Sequence, residues 1–301
     1  MTTVAIFFNP NSGKKDDLLA STVKASLITK GISESNITII IPKSIEELFL
    51  LAKAASHNGV DIIIPLGGDG TINKVISGVY EGGAHSRIGL IPSGTVNNFA
   101  QALDIPLDYQ AAIDNIFDGQ IKAVDICKVN NDYMISSLTL GLLADIAANV
   151  TSESKRKYGP LAFLKDSLRI LRRNRTYSII INEQNNTYIA DLKFLLITMT
   201  NTIAGMPSFS PDAAIDDGHF QVYTMKKVSF FKFLRHRNDF YKGDFSRARE
   251  IHHFSANELS LEPTNPHRAF NPRTRVDGDK SSRLPIRLTV LQKAIQVIVP
   301  K

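Results

Sequence analysis

The chain of 301 residues predicts a doubly wound α/β domain followed by an antiparallel all-β domain, and three observations carry the prediction. Short apolar runs alternate with segments of helical spacing through the first third of the chain. Three of those runs end in loops of Gly, Asn, Ser and Pro, which a parallel sheet would gather at one edge. After about Asp125 the helical spacing gives way to short strand-like runs divided by turns.

In order, the run 4–8 is apolar throughout, as in a strand buried on both faces. It ends in Asn9-Pro10-Asn11-Ser12-Gly13-Lys14-Lys15, a loop of turn formers closed by two lysines. A helix is expected over 18–30 and a second strand over 37–41. Ser44 followed by Glu47 is spaced as a capping box for a helix over 45–58. The run 62–66 then stops abruptly at Gly67-Gly68-Asp69-Gly70-Thr71 and passes into a helix to about 79. A fourth strand, 88–91, ends in Pro92-Ser93-Gly94-Thr95-Val96-Asn97-Asn98.

Strands are then expected at 126–129, 133–140, 177–181, 193–200, 220–224, 258–261, 268–275 and 286–290, as a sandwich or barrel. Helices interrupt them at about 160–173 and 230–241. The last apolar run, 294–299, could join either sheet. The boundary falls at 125, giving domains of 1–125, joined by 291–301, and 126–290.

No apolar run approaches the roughly 20 residues that a bilayer-spanning helix needs. The first residues read as a strand rather than a signal peptide. Cys127 is the single cysteine, so no intrachain disulfide forms, and a reducing cytoplasm is expected. The net charge of +6 suits anionic membrane surfaces, nucleotides or nucleic acid alike. Nucleic acid ranks low, since the basic clusters carry no interleaved aromatics.

The glycine loop 67–71 matches neither a Walker P-loop nor a complete dinucleotide fingerprint. Alone it is equally a tight strand-to-helix turn capped by Asp69 or Thr71. The loop Ser93-Gly94-Thr95-x-Asn97-Asn98 has the same plain reading. Two such loops at one sheet edge, with 9–15 beside them, favour a phosphate site, because glycine lets backbone N–H groups approach an anion at a helix start.

Three segments together, Asn9-Pro10-x-Ser12-Gly13, Gly67-Gly68-Asp69-Gly70-Thr71-x-Asn73 and Pro92-x-Gly94-Thr95-x-Asn97, resemble the nucleotide-site motifs of the diacylglycerol kinase catalytic-domain family. The second half adds Lys155-x-x-x-Gly159, Ile215-Asp216-Asp217-Gly218 and Val276-Asp277-Gly278-Asp279 in the family's order. The resemblance implies transfer of the γ-phosphoryl group of ATP to a lipid hydroxyl, with diacylglycerol the default acceptor and phosphatidic acid the product. It implies a phosphofructokinase-like α/β domain, a β-sandwich and a lipid site between them. Asn9, Ser12, Gly13, Lys14, Gly67, Gly68, Asp69, Gly70, Thr71, Asn73, Gly94, Thr95 and Asn98 would line the nucleotide. Asp69 would partner Mg²⁺ and Asp279 would take the hydroxyl proton. In bacterial relatives a structural metal lies on the segment that matches Asp217, with the carbonyls of Ala214 and His219. A homodimer is suggested in the same way.

Two positions depart from the family pattern. Asn98 stands where an acidic residue is usual, and Asp279 where glutamate is usual, so its carboxylate is one methylene shorter. These departures raise a second expectation, a nucleotide-binding regulator with little or no transfer activity. The basic residues around the helix at 160–173 and the cluster Arg235–Arg249 are read first as solvated faces, and second as a peripheral dock on anionic headgroups at the inner face of the membrane.

Overall fold

The fold is that of a computed structural model describing residues 1–9, 18–141, 176–183, 186–203, 209–226, 251–265 and 271–301. Ser12, Gly13 and Lys14, both interrupting helices and the basic clusters lie outside the described residues.

The first strand, β1 (Val4–Phe8), is fully buried and pairs in parallel with β2 (Ile37–Ile40) and β3 (Ile62–Gly67). β3 pairs in parallel with β4 (Arg87–Gly89) and β5 (Ile91–Pro92). The expected strand 88–91 is thus two short pieces separated by Leu90. Helices α1 (Leu19–Thr29), α2 (Ile45–His57), α3 (Asp69–Glu81), α4 (Asn98–Ala102) and α5 (Tyr109–Asp118) complete this half. Ser44 Oγ accepts the Glu47 N–H at 3.1 Å at the start of α2. The Glu47 carboxylate reaches back to the Lys43 N–H, one residue earlier than a capping box requires. α3 lies close on α2 because Gly78 has no side chain; a Cβ there would stand 2.8 Å from the Ala52 Cβ.

Two long strands bind this half to the next. β6 (Gln120–Val129) runs antiparallel to β17 (Ile286–Val299). β17 also pairs in parallel with β4 and antiparallel with β14 (Glu258–Pro263). The expected strands 286–290 and 294–299 are therefore one strand, irregular between Leu291 and Ile295. It belongs to both halves, because its two ends meet different partners. With β9 (Tyr177–Glu183) and β10 (Asn186–Leu192) these strands form an 11-stranded sheet, in the order β10-β9-β14-β17-β4-β3-β1-β2, with β5, β6 and β7 (Asp132–Met134) off this path.

The second sheet has six antiparallel strands: β13 (Ile251–Ala256), β12 (Phe220–Met225), β11 (Phe194–Thr198), β8 (Ser137–Gly141), β15 (Arg273–Val276) and β16 (Asp279–Arg283), in that order. It packs on the end of the first sheet. Leu140, Ile197, Phe220 and Val222 meet Ile181, Leu261 and Leu288 in one core, while Phe7, Ile64, Leu66, Ile72 and Phe99 belong to another. This is a mixed α/β half and an antiparallel sandwich half.

One expected strand corrects instructively. The run 133–140 is two strands, β7 and β8, which belong to different sheets. The backbone between them leaves the first ladder at Ile135 and Ser136, whose N–H groups donate to the carboxylate of Asp277, as does that of Ser137 at the start of β8.

Candidate functional site

β3 delivers the chain to Gly67 with every residue buried. Gly68 is the N-cap of α3, in extended backbone and with no side chain to cap from that position; Asp69 is already the first helical residue. The tight turn expected to be capped by Asp69 or Thr71 is built differently, with the cap position left as bare backbone. The second loop closes against it. Ser93 Oγ donates to Gly67 O at 3.1 Å. A Cβ on Gly94 would stand 2.6 Å from the Gly68 Cα and 2.7 Å from Asn97 Oδ1, so position 94 requires glycine for the loops to touch. Asn97 adopts φ +57 and ties its own loop by two bonds to Gly94, 2.8 Å from Gly94 N to Oδ1 and 3.1 Å from Nδ2 to Gly94 O.

The Asp69 carboxylate spans the two loops. Its Oδ1 lies 3.4 Å from the Phe99 N–H at the start of α4. Burial pushes its carboxyl above the usual range, the N–H groups of Phe99, Asn98 and Asn97 pull it down, and the nearby Asp279 pushes it up again. Asn9 joins from the first loop: its N–H donates to Leu66 O at 3.2 Å, and its Nδ2 lies 3.4 Å from Thr71 Oγ1. Thr95 is exposed at the rim. Backbone groups of this kind, gathered where two helices begin, suit phosphate oxygens.

The second sheet contributes the opposite wall. β15 and β16 are joined by Asp277-Gly278, at φ +49 and +89, with Val276 paired to Asp279. Both positive values mark the hairpin turn that Asp-Gly favours. The turn sets Asp279 at the start of α3, where a Cβ on Gly70 would collide with Asp279 Oδ2. Asp69 and Asp279 thus flank Gly70, although 210 residues separate them.

Asn73 lies one turn further along α3 and is buried, 5% exposed. Its Nδ2 donates to Tyr133 O and to Asp277 Oδ2, each at 2.7 Å. Asp277 also accepts the N–H groups of Ile135, Ser136 and Ser137 at 3.0, 2.8 and 2.8 Å. The Asp277 carboxylate is enclosed by these groups while Gly278 beside it is exposed, and burial pushes that carboxyl up to about 6 against those four donors. Asp277 was legible only as a turn residue, because its donors lie on the β7–β8 link, at the start of β8 and on α3.

Asp217 stands apart from these walls. Its Oδ1 accepts the His219 N–H at 2.8 Å, and its carbonyl lies 2.9 Å from His219 Nδ1. The next N–H, from Gly218, goes to the fully buried Asp125 at 2.7 Å. Among the described residues, no three His, Cys, Asp or Glu side chains cluster as metal ligands.

An α/β half with paired glycine loops, faced by a carboxylate from an antiparallel sheet, defines a phosphate-handling fold. The diacylglycerol kinase catalytic domain matches residues 3–129, and the YegS C-terminal NAD kinase beta sandwich-like domain matches residues 136–299. The chain is 30% identical to a diacylglycerol kinase of Staphylococcus haemolyticus over 98% of its own length and 88% of the relative's. It is 28% identical to one of Staphylococcus epidermidis, over 98% and 92%. Two solved structures from Bacillus anthracis, the second described as that of a diacylglycerol kinase, superpose with TM-scores of 0.80 and 0.77; at 22% and 21% identity they bear on the fold alone. The superpositions cover 99% of this chain in both cases, and 95% and 96% of the neighbours. The chain belongs to the diacylglycerol kinase family and is a lipid kinase of the two-domain type.

Proposed function

We propose that the chain transfers the γ-phosphoryl group of Mg-ATP to the hydroxyl of a diacylglycerol, giving phosphatidic acid. The observation that carries this reading is the placement of Asp69 and Asp279 on either side of Gly70 at the uncapped start of α3. Gly68, Gly70, Thr71, Gly94 and Thr95 would hold the nucleotide phosphates, with Asn9 from the first loop and Asn98 beside Asp69; Ser12, Gly13 and Lys14, outside the described residues, are assigned to the same role from the sequence alone. Glycines at 68 and 94 keep the backbone N–H groups open to those oxygens. Asp69 fits Mg²⁺, which takes few carboxylates and keeps several waters. The bound metal supplies charge neutralisation at the transferring group. Asp279 accepts the proton of the acceptor hydroxyl as its oxygen attacks.

A peripheral site at the inner face of the membrane suits an acceptor that is a lipid. The sequence 142–175 holds eight Lys and Arg against three Asp and Glu, and 227–250 holds seven against three. Gly141, Phe194, Met225 and Ile251 are in register across β8, β11, β12 and β13. Both basic segments therefore connect to strand ends on one edge of the second sheet, and their net positive charge suits anionic headgroups.

The test is transfer from labelled ATP to diacylglycerol, ceramide, sphingosine and phosphatidylglycerol in mixed micelles. Diacylglycerol is expected to be labelled. No transfer to any of the four refutes the proposal and favours the nucleotide-binding regulator that Asn98 suggests.

A further inference from the structure

Asn73 is the residue whose surroundings differ most from its expected role. It belongs to the glycine-loop motif, yet it is buried and both contacts of its Nδ2 are protein groups, Tyr133 O and Asp277 Oδ2. Asp277 is equally committed, with three consecutive backbone N–H groups and the Asn73 amide on its two oxygens. Its own N–H donates to Ser137 O at 2.8 Å. The turn is thereby fixed at once to α3 and to the link between β7 and β8.

A second contact fixes the same hairpin. Lys74, the next residue of α3, places Nζ 3.3 Å from Asp132 Oδ1, and Ser281 Oγ of β16 lies 3.4 Å from the other oxygen of Asp132. Two adjacent residues of α3 therefore hold β15–β16 at its turn and along its second strand. Asp279 lies between these attachments, two residues beyond Asp277 and two before Ser281.

We infer that Asn73 and Asp277 are positioning residues: their buried bond docks the β15–β16 hairpin on α3 and sets the distance from Asp279 to the start of that helix. The inference rests on the proposed kinase reading for its catalytic consequence, but the docking stands on the contacts themselves. With the hairpin held here the Asp279 carboxylate already reaches Gly70, so the shorter acid suffices and glutamate brings no gain.

The test uses the full chain with Asn73→Ala, Asn73→Ser and Asp279→Glu. Amide hydrogen exchange, ATP affinity by calorimetry, and kcat and KM with diacylglycerol micelles are measured for each. For Asn73→Ala, exchange should accelerate over 273–283 and 134–138 while α1 and α2 keep their protection. The value of kcat should fall roughly 100-fold, as a 1 Å displacement of a reacting group produces, with ATP Kd within about twofold of wild type. Asn73→Ser, which keeps a donor in a smaller side chain, should recover part of both losses. Asp279→Glu should bring no gain in kcat. Loss of ATP affinity with normal exchange in the hairpin would make Asn73 a nucleotide ligand and overturn the inference, as would a gain in kcat for Asp279→Glu. A wild type without transfer to any lipid would refute the kinase reading alone, since the exchange pattern still reports the docking. Should Asn73→Ala fail to fold, Asn73→Ser carries the same measurements, and unchanged exchange and kcat in it overturn the inference.

Discussion

Gly70→Ala separates catalysis from folding. Gly70 lies in the first turn of α3, and its φ is not in the left-handed region. Alanine there is expected to stabilise the helix by about 0.5–1 kcal/mol through its lower unfolded-state entropy. The new Cβ, however, would collide with Asp279 Oδ2. Asp279 is exposed, so its side chain can swing aside at little cost to the fold. To regain van der Waals separation its carboxylate must retreat by about 1 Å, and such a displacement of a reacting group costs roughly 100-fold in rate, or about 2.7 kcal/mol in the barrier. The assay is initial-rate transfer to diacylglycerol in mixed micelles at saturating ATP, beside calorimetric ATP affinity and thermal unfolding. A fall in kcat with an equal or higher Tm is expected. The double variant with Asp279→Ala should be no slower than Asp279→Ala alone, since both act on one group. An unchanged kcat, or additive losses in the double variant, would refute the placement of Asp279 as the working base at Gly70.

Four further outcomes are expected. Gly78→Ala should destabilise by about 1–3 kcal/mol, because its Cβ meets the backbone of Phe49 and the side chain of Ala52; denaturant unfolding reads this, and kcat per folded molecule should stay unchanged. Asn98→Asp should tighten Mg²⁺ dependence several-fold by placing a second carboxylate beside Asp69, read as a lower half-saturating Mg²⁺ concentration at fixed ATP; no change would separate position 98 from the metal. The buried Asp277 carboxyl titrates near 6 in the folded chain and near 3.9 unfolded, so the folded chain binds the extra proton between those values. Its ionisation therefore lowers stability as pH rises from about 4 to 6; the Tm of wild type minus that of Asp277→Asn should fall across that window, and a flat difference would refute it. Chelation should lower Tm by a few degrees, restored by Mg²⁺ and absent in Asp217→Asn, as a site that binds only the folded state requires; an unchanged Tm removes the metal from that turn.

In the α/β half, β1 to β4 and α1 to α3 were read from local pattern to within a few residues, while α4 and α5 were not expected. Its signals are local: unbroken apolar runs for strands buried on both faces, Ser44 before Glu47 at a helix start, glycines where β3 meets α3. The strands missed were β10, β13 and β16, each largely exposed. Edge strands need no regular apolar alternation, so their sequences resemble loops. The fusion of 286–290 and 294–299 into β17 escaped for a different reason. A single strand that crosses between two cores changes its buried face at an irregularity, and periodicity breaks there.

For the site, the sequence by itself determined the chemical groups: glycines that permit close backbone approach, Asp69 at a helix start, and an Asp-Gly turn that presents Asp279. These are properties of residues and their immediate neighbours. Only the tertiary structure decided that Asp279 stands against Gly70, and that Asn73 serves Asp277 rather than opening into the loop. The bonds responsible join residues 204 and about 140 positions apart, and their geometry follows from how the second sheet docks on α3. No local preference encodes that distance, because it is the sum of packing across two cores.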